Sequence, residues 1–305
     1  MGNMLKFKKT LWAFVLAAFL GGGYTVAPEP IQRGITSFVP FWKYSPVVAG
    51  WTTCSGCVFE SSFTTAQGFT TDYTQSGGGC STGWDNIQAG IDNYGDWSSG
   101  GECDEIKASS NHTAGSGGRG FAHKIADGTN QVSGGFAVDL REFGGEYTGY
   151  YFRYYMRMQD GLSISGNGSP HKLIYHAGAL SGACSSGCYM GLGTTETRIT
   201  VGGTNFLGSS AGGANGVDFR DDLWHCVEIH LDKSGGAGAG ISQVRIDGVT
   251  YLNETAVTFG GTTDFDIFAI PENGAFTATG TMVQSIDDLA VSVTDWVGCP
   301  VAPSA

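Results

Sequence analysis

Between about residues 48 and 297, short runs of alternating apolar and polar residues are separated by turns rich in Gly, Ser, Thr and Asn, and no long amphipathic helical period interrupts them. In Tyr150–Met158 the alternation sets Tyr150, Phe152, Tyr154, Met156 and Met158 on one face and Tyr151, Arg153, Tyr155 and Arg157 on the other. The first face is suited to a core, whereas the second is aromatic and cationic. In Leu223–Leu231 the apolar set is Leu223, Val227, Ile229 and Leu231, opposite Trp224, Cys226, Glu228 and His230. In Ser242–Ile246, Val244 and Ile246 face inward, with Gln243 and Arg245 outward. Asp247-Gly248 is a hairpin signal leading into Val249–Leu252. A last run, Ile286–Val293, alternates again, with Leu289, Val291 and Val293 on the core side. Stripes of this kind are buried when two antiparallel sheets pack face to face, so the pattern predicts an all-β, two-sheet antiparallel β-sandwich. Turn-rich stretches near 76–83, 99–118 and 202–217 read as long loops over a sheet.

Composition narrows the class further. The 305 residues include 50 glycines, more than twice the usual share of roughly 7%, yet no Gly-X-Y period runs through them. Charged residues are 14% of the chain, too few for a coiled coil or an acidic tail, and 41% hydrophobic residues can supply a sizeable core. The amino-terminal stretch has Lys6, Lys8 and Lys9, an apolar run from Leu11 to Leu20, and small residues ending at Ala27 before Pro28. It reads as a signal peptide over 1–27, because the apolar run is too short to span a bilayer. A lead-in segment over 28–47, a jelly-roll domain over 48–297 and a tail over 298–305 complete the expected organisation. The net charge of −12 becomes more negative once the leader's lysines are removed, which disfavours nucleic acid as a partner. A secreted or periplasmic monomer without stable membrane insertion is expected.

The eight cysteines are an even set in a chain that carries an export signal, so disulfides are the leading reading. The pairing expected is Cys54 with Cys57, Cys184 with Cys188, Cys80 with Cys103, and Cys226 with Cys299. A four-thiolate zinc site built on C-x-x-C and C-x-x-x-C is the rival reading.

Six short segments occur in an order that carries a family resemblance. They are Phe59-Glu60, the Tyr-rich strand around Arg153, His171–Gly178, Trp224–His230, Arg245–Gly248 and Ile286–Ser292. Together they resemble the concanavalin A-like jelly rolls of secreted polysaccharide lyases. Lys172-Leu173 and the later Cys184-Ser185-Ser186-Gly187 are similar to the Lys-Leu-Pro-Gly-Leu and Cys-Ser-Gly-Gly segments of glucuronan-lyase-like enzymes, with Ile174 at the proline and Tyr175 at the glycine. The resemblance implies β-elimination on an acidic, uronate-containing polysaccharide.

That chemistry needs a cation against the carboxylate, a base for the adjacent C–H and an acid for the leaving oxygen. If adjacent strands share one groove, Arg153 and Lys172 hold the carboxylate, His176 or His230 is the base, and Tyr155 is the acid. Tyr151, Arg157, Glu228, Gln243 and Arg245 would line the same groove and bind substrate. Glu60, Asp287 and Asp288 are candidate oxygen ligands for a structural calcium ion if the terminal strands are neighbours, although calcium prefers 6 to 8 oxygens. No organic cofactor is expected.

Other readings remain beside this one. Tyr, Arg and His on a sheet face are often merely structural. The same aromatic groove would also serve a non-catalytic carbohydrate-binding or adhesive module. A glycoside hydrolase needs two suitably spaced carboxylates, and the strand motif Glu-x-Asp-x-Glu does not occur. Gly79-Cys80-Ser81-Thr82-Gly83 matches G-x-S-x-G without the strand-to-helix turn of a nucleophile elbow. Gly115–Gly120 matches G-x-G-x-x-G without a βαβ unit and reads as a flexible loop.

Overall fold

The computed structural model describes residues 54, 56–74, 88, 91–98, 105–112, 118–125, 132–160, 163–164, 171–176, 188–192, 199–202, 221–259, 264–270, 273–274, 276–277 and 282–299. The expected leader and lead-in segment, Cys80, Cys103, Cys184 and the G-x-S-x-G stretch lie outside the described residues. Among the described residues, regular structure is β-strand apart from short 3-10 turns at Thr65–Gln67, Ala108–Ser110 and Leu140–Phe143.

The first sheet holds β1 (Cys57–Ser61), β2 (Tyr73–Thr74), β4 (Glu105–Lys107), β5 (Gly120–Ile125), β7 (Gly149–Met158), β12 (His225–Asp232), β13 (Gly240–Ile246), β14 (Val249–Val257) and β18 (Met282–Ser292). Its order is β14-β13-β12-β7-β18-β5-β4-β2, and β1 pairs with the later half of β18. The second sheet holds β3 (Ile91–Ser98), β6 (Val132–Asp139), β9 (His171–His176), β10 (Cys188–Leu192), β11 (Ile199–Gly202), β15 (Ile267–Ile270) and β16 (Asn273–Gly274). It runs β11-β10-β9-β15-β6-β16, with β3 on β6. A small ladder joins β8 (Ser163–Ile164) to β17 (Phe276–Thr277). The chain passes repeatedly from one large sheet to the other, as β5 to β6, β6 to β7 and β14 to β15 illustrate, which is the habit of a jelly roll.

The alternation read from sequence sets the core. Tyr150, Phe152, Tyr154, Met156 and Met158 of β7, Val227, Ile229 and Leu231 of β12, and Val244 and Ile246 of β13 share one apolar cluster with Phe136 and Val138 of β6 and Ile270 of β15. Phe136 bridges the two sheets: its ring stands edge-on to Phe121 of β5 at 4.9 Å and to Phe63 at 5.9 Å. Each such fully buried aromatic or aliphatic side chain stabilises the fold by roughly 1.5–3 kcal/mol relative to exposure. The two-sheet antiparallel sandwich predicted from the pattern is thus the architecture observed.

Local departures have physical causes. Leu223 is 61% exposed because β12 begins only at His225. The stretch 99–118, expected as a loop, contains β4 and the turn Ala108–Ser110. In β18 both Ile286 and Leu289 reach the core, which strict alternation forbids; one extra residue separates the pairs Asp287↔Tyr155 and Ala290↔Arg153, and Asp288 takes φ +56°. This bulge turns Asp287 and Asp288 into a local corner. The Asp247-Gly248 turn joins β13 to β14 with φ +50° and +79°, the doubly left-handed geometry that fits strand twist.

Candidate functional site

The outer face of the first sheet carries most of the residues singled out from sequence, arranged in ranks. One rank crosses five strands as Glu60, Ala290, Arg153, Glu228 and Arg245. A second runs Ser292, Tyr151, His230, Gln243 and Asn253, and a third places Asp287 beside Tyr155 and Cys226. Acid and base alternate along the first rank, which suits cross-strand pairing.

This face is not an open groove. After β18 ends, residues 293–299 fold back over it, and the Cys226–Cys299 disulfide fastens them there. Gly298 donates its N–H to Glu228 Oε1 at 2.7 Å, and Arg153 Nη1 donates to the Gly298 carbonyl at 3.3 Å. The Trp296 ring lies 3.7 Å from the Arg245 guanidinium and stands edge-on to Tyr151 and His230. Beneath this cover Arg153, Glu228 and His230 are 3%, 3% and 7% exposed, and the neighbouring Tyr155 is 4% exposed. Burial works against charge on all of them. It lowers the Arg153 pKa and raises that of Glu228, while the Tyr155 phenol is pushed up to about 12. The His230 pKa is lowered, again by burial first, and its Nδ1 lies 3.0 Å from Gln243 Oε1, which is in turn tied to Asn253. Arg153, Tyr155 and His230, expected as catalytic, and Glu228, expected to bind substrate, therefore form a packed polar layer inside the fold.

The other end of the face is filled from a different direction. Gly120 lets the Ser110 carbonyl come so close that a Cβ at that position would lie 1.7 Å from it, and the turn carries His112 onto the sheet. His112 stacks on Tyr155 at 3.8 Å, its Nδ1 lies 2.6 Å from Asp288 Oδ2, and its N–H reaches Asp287 Oδ2 at 2.7 Å. Asp287 also accepts the Asp288 N–H at 2.7 Å. Burial raises the pKa of both carboxyls, and for Asp287 the neighbouring Asp288 charge adds to it. Arg157 lies over Trp224 at 5.2 Å and donates to the Ser109 carbonyl at 3.3 Å.

The calcium expectation does not fit this arrangement. Asp287 and Asp288 are turned toward His112 and backbone N–H groups, and Glu60 Oε1 accepts the Cys54 N–H at 2.9 Å. Among the described residues, the acid and sulfur atoms close enough to share one ion belong to Cys54, Cys57 and Glu60, and those two cysteines are joined in a disulfide. That bridge also removes the Cys54-x-x-Cys57 half of the zinc reading. Cys54–Cys57 and Cys226–Cys299 both form as the spacing suggested.

Lys172 and His176 are not neighbours of Arg153. They lie on β9, inside the second sheet, so the single groove expected from sequence is divided between two sheets. A rank crosses that sheet as Asp92, Ala137, Ala269, Tyr175, Tyr189 and Gly202. It is in the phase opposite to the core residues Phe136, Val138 and Ile270. The pairing of β9 with β10 shifts between Ile174↔Met190 and Lys172↔Gly191, which breaks the simple alternation linking Lys172 to His176.

Sequence reasoning did not single out His112, Trp296 or Gly298. A signal for the last two was present: Cys226 shares the phase of Glu228, so pairing it with Cys299 carries the residues just before Cys299 over that face.

No family model matches the chain, and no curated protein matches it. Among solved structures it is similar to the cellulose induced protein Cip1, at 16% identity and TM-score 0.44, covering 71% of this chain and 96% of that one. It is also similar to an endo-β-1,4-glucuronan lyase from the fungus Trichoderma reesei, at 12% identity and TM-score 0.43, covering 62% and 86%. A third is an alginate lyase Aly36B mutant in complex with alginate tetrasaccharide, at 12% identity and TM-score 0.41, covering 58% and 82%. No residue role is carried over from any of them.

Proposed function

We propose that the protein is a secreted polysaccharide lyase that cleaves an acidic, uronate-containing polymer at the second sheet. The observation that carries this reading is the rank Ala137, Ala269, Tyr175, Tyr189 and Gly202, two tyrosines between small residues in the phase opposite the core. Small residues beside aromatic ones make a shallow floor on which a sugar ring can lie. The register shift in β9 sets Lys172 in the backbone phase of Tyr175 and Tyr189.

In β-elimination the C5 proton, acidified by its neighbouring carboxylate, passes to a base. The C5–H electron pair becomes the C4=C5 double bond, the C4–O bond breaks, and the leaving oxygen takes a proton from an acid. Lys172 neutralises the carboxylate, and Tyr175 and Tyr189 move the two protons. The disulfides suit an oxidising compartment, in keeping with export.

The test is ultraviolet absorbance during incubation of the oxidised protein with alginate, glucuronan, pectate and glycosaminoglycans. A rise from the unsaturated uronate on at least one polymer, lost in Lys172→Ala and in Tyr175→Phe, is the expected result. Binding to a polymer with a flat trace across the panel would replace the lyase with a carbohydrate-binding module.

A further inference from the structure

We propose that residues 293–299 are a redox-held strap: the Cys226–Cys299 disulfide keeps them closed over the outer face of the first sheet, and reducing it opens that face without unfolding the sandwich.

Four observations carry this. First, the strap lies on the side of the sheet away from the core, and none of its residues belongs to the apolar cluster between the sheets. Lifting it therefore leaves the core covered. Second, among the described residues it pairs with no strand; β18 ends at Ser292, and the strap is held by the Gly298 peptide, by the Trp296 ring, by a 3.6 Å contact of the Cys299 sulfur with Glu228 Oε2 and by local bonds from Thr294 and Asp295 to the Ser292 hydroxyl. Third, the groups it covers gain from water. Arg153 and Glu228 are charged side chains stripped of solvent, and hydration of the freed pair offsets much of what the Gly298 contacts contribute. Fourth, the covalent tie is long-range, joining cysteines 73 residues apart, whereas Cys54–Cys57 spans a separation of 3 and closes only a local turn.

The point about which the strap lifts is defined as well. Gly56, at φ +92°, passes so near Thr294 that a Cβ would lie 2.8 Å from its hydroxyl oxygen, which anchors the start of the segment against the turn before β1. At the other end Cys226 is buried while Cys299 is half-buried, so Cys299 is the more exposed residue of the bridge. A dithiol attacks there: its thiolate forms a mixed disulfide with Cys299 and expels the Cys226 thiolate, which takes up a proton. The second thiol then closes the ring of the oxidised dithiol and releases Cys299. Two electrons and two protons pass from the dithiol to the protein. The inference does not rest on the lyase reading, which concerns the other sheet.

Hydrogen exchange read by mass spectrometry on the full chain tests it, comparing the oxidised protein with the Cys226→Ser/Cys299→Ser double variant and with the wild type after treatment with dithiothreitol. The Gly298 amide, bonded to Glu228 in the closed state, should exchange at least about tenfold faster in both open forms, while β7, β12 and β18 keep their protection. The emission of Trp296 should shift to the red in the double variant, and the shift should vanish when Trp296→Phe is added. Unchanged exchange at Gly298 would overturn the proposal, because the non-covalent contacts would then suffice. Loss of protection across the core strands would overturn it equally, because the bridge would then hold the whole fold and not the strap.

Discussion

The outward ranks of the two large sheets differ in composition. On the first, charged and aromatic residues are dense: Glu60, Arg153, Glu228 and Arg245 stand in one rank, and the chain's own backbone closes over its middle. On the second, the corresponding rank is mostly small, with Tyr175 and Tyr189 at its centre. A face crowded with reactive-looking groups is thus the packed one. Arg153 illustrates the lesson. It is buried among Tyr155, Asp288, Glu60 and Glu228 and donates to the Gly298 carbonyl, and a residue enclosed in this way inside the fold is poorly placed to meet a polymer outside it.

The sharpest way to break this comparison is to alter one residue on each sheet. Tyr175→Phe should lower kcat/KM by about 10²–10⁴-fold with unfolding temperature unchanged, the size associated with loss of a general acid or base. Arg153→Ala should do the reverse. It should destabilise the fold by about 3–5 kcal/mol in urea titrations by taking a buried cation away from the carboxylates of Asp288, Glu60 and Glu228, yet keep turnover per folded molecule. Full activity in Tyr175→Phe, together with its loss in folded Arg153→Ala, would return the active site to the first sheet.

A smaller effect sharpens the picture at the margin of the first sheet. His225 sits between Asp247, at 2.7 Å, and Asp221, at 3.2 Å. Burial opposes its charge, but the two carboxylates outweigh it and raise its pKa above the ordinary 6.5. Because the folded value is the higher one, the stabilisation is complete below about pH 6.5 and is lost as pH rises through the raised value. The half-exposed carboxylates are screened by solvent, so the contribution is about 1 kcal/mol. The difference in unfolding temperature between wild type and His225→Gln should be larger at pH 5.5 than at about pH 8.5; an equal difference would remove the charge from the account. The smallest effect belongs to Gly248→Ala. A Cβ there meets nothing within 4 Å, so only the left-handed backbone at φ +79° is strained, and about 1 kcal/mol should be lost in thermal unfolding.

Much of the sandwich is legible in the chain because alternation has a direct physical meaning: β7, β12 and β13 each bury the apolar phase read from sequence. The spacing of Ile286 and Leu289, two apolar residues with two polar ones between them, already contains the bulge of β18. Alternation reports which side of a strand is apolar, however, and not which sheet the strand joins or what lies over its polar side. Those depend on pairings between distant segments, which leave no period in the sequence. Hence Lys172 and Arg153 were assigned to one groove although β9 and β7 belong to different sheets. The cover over Arg153 could be reached only by combining the phase of Cys226 with its pairing to Cys299. His112 had no comparable signal, since its position depends on the close approach of Ser110 to Gly120.

The place of β18 in the first sheet bears on how the protein comes to be folded at all. It follows every other described strand in sequence, yet it lies in the middle of the sheet, with β7 along one side and β5 and β1 along the other. Until Met282–Ser292 is available, the halves β14-β13-β12-β7 and β5-β4-β2 have no shared partner and two unpaired edges face each other across a gap. Assembly strand by strand from the amino terminus is therefore ruled out for this sheet, and its closure waits for contacts between segments far apart in the chain. Such topologies fold slowly and expose strand edges while they do so. Met282–Ser292 is synthesised after every other described strand of the sheet, so shortening the chain before Met282 should yield an aggregating product rather than a smaller sandwich.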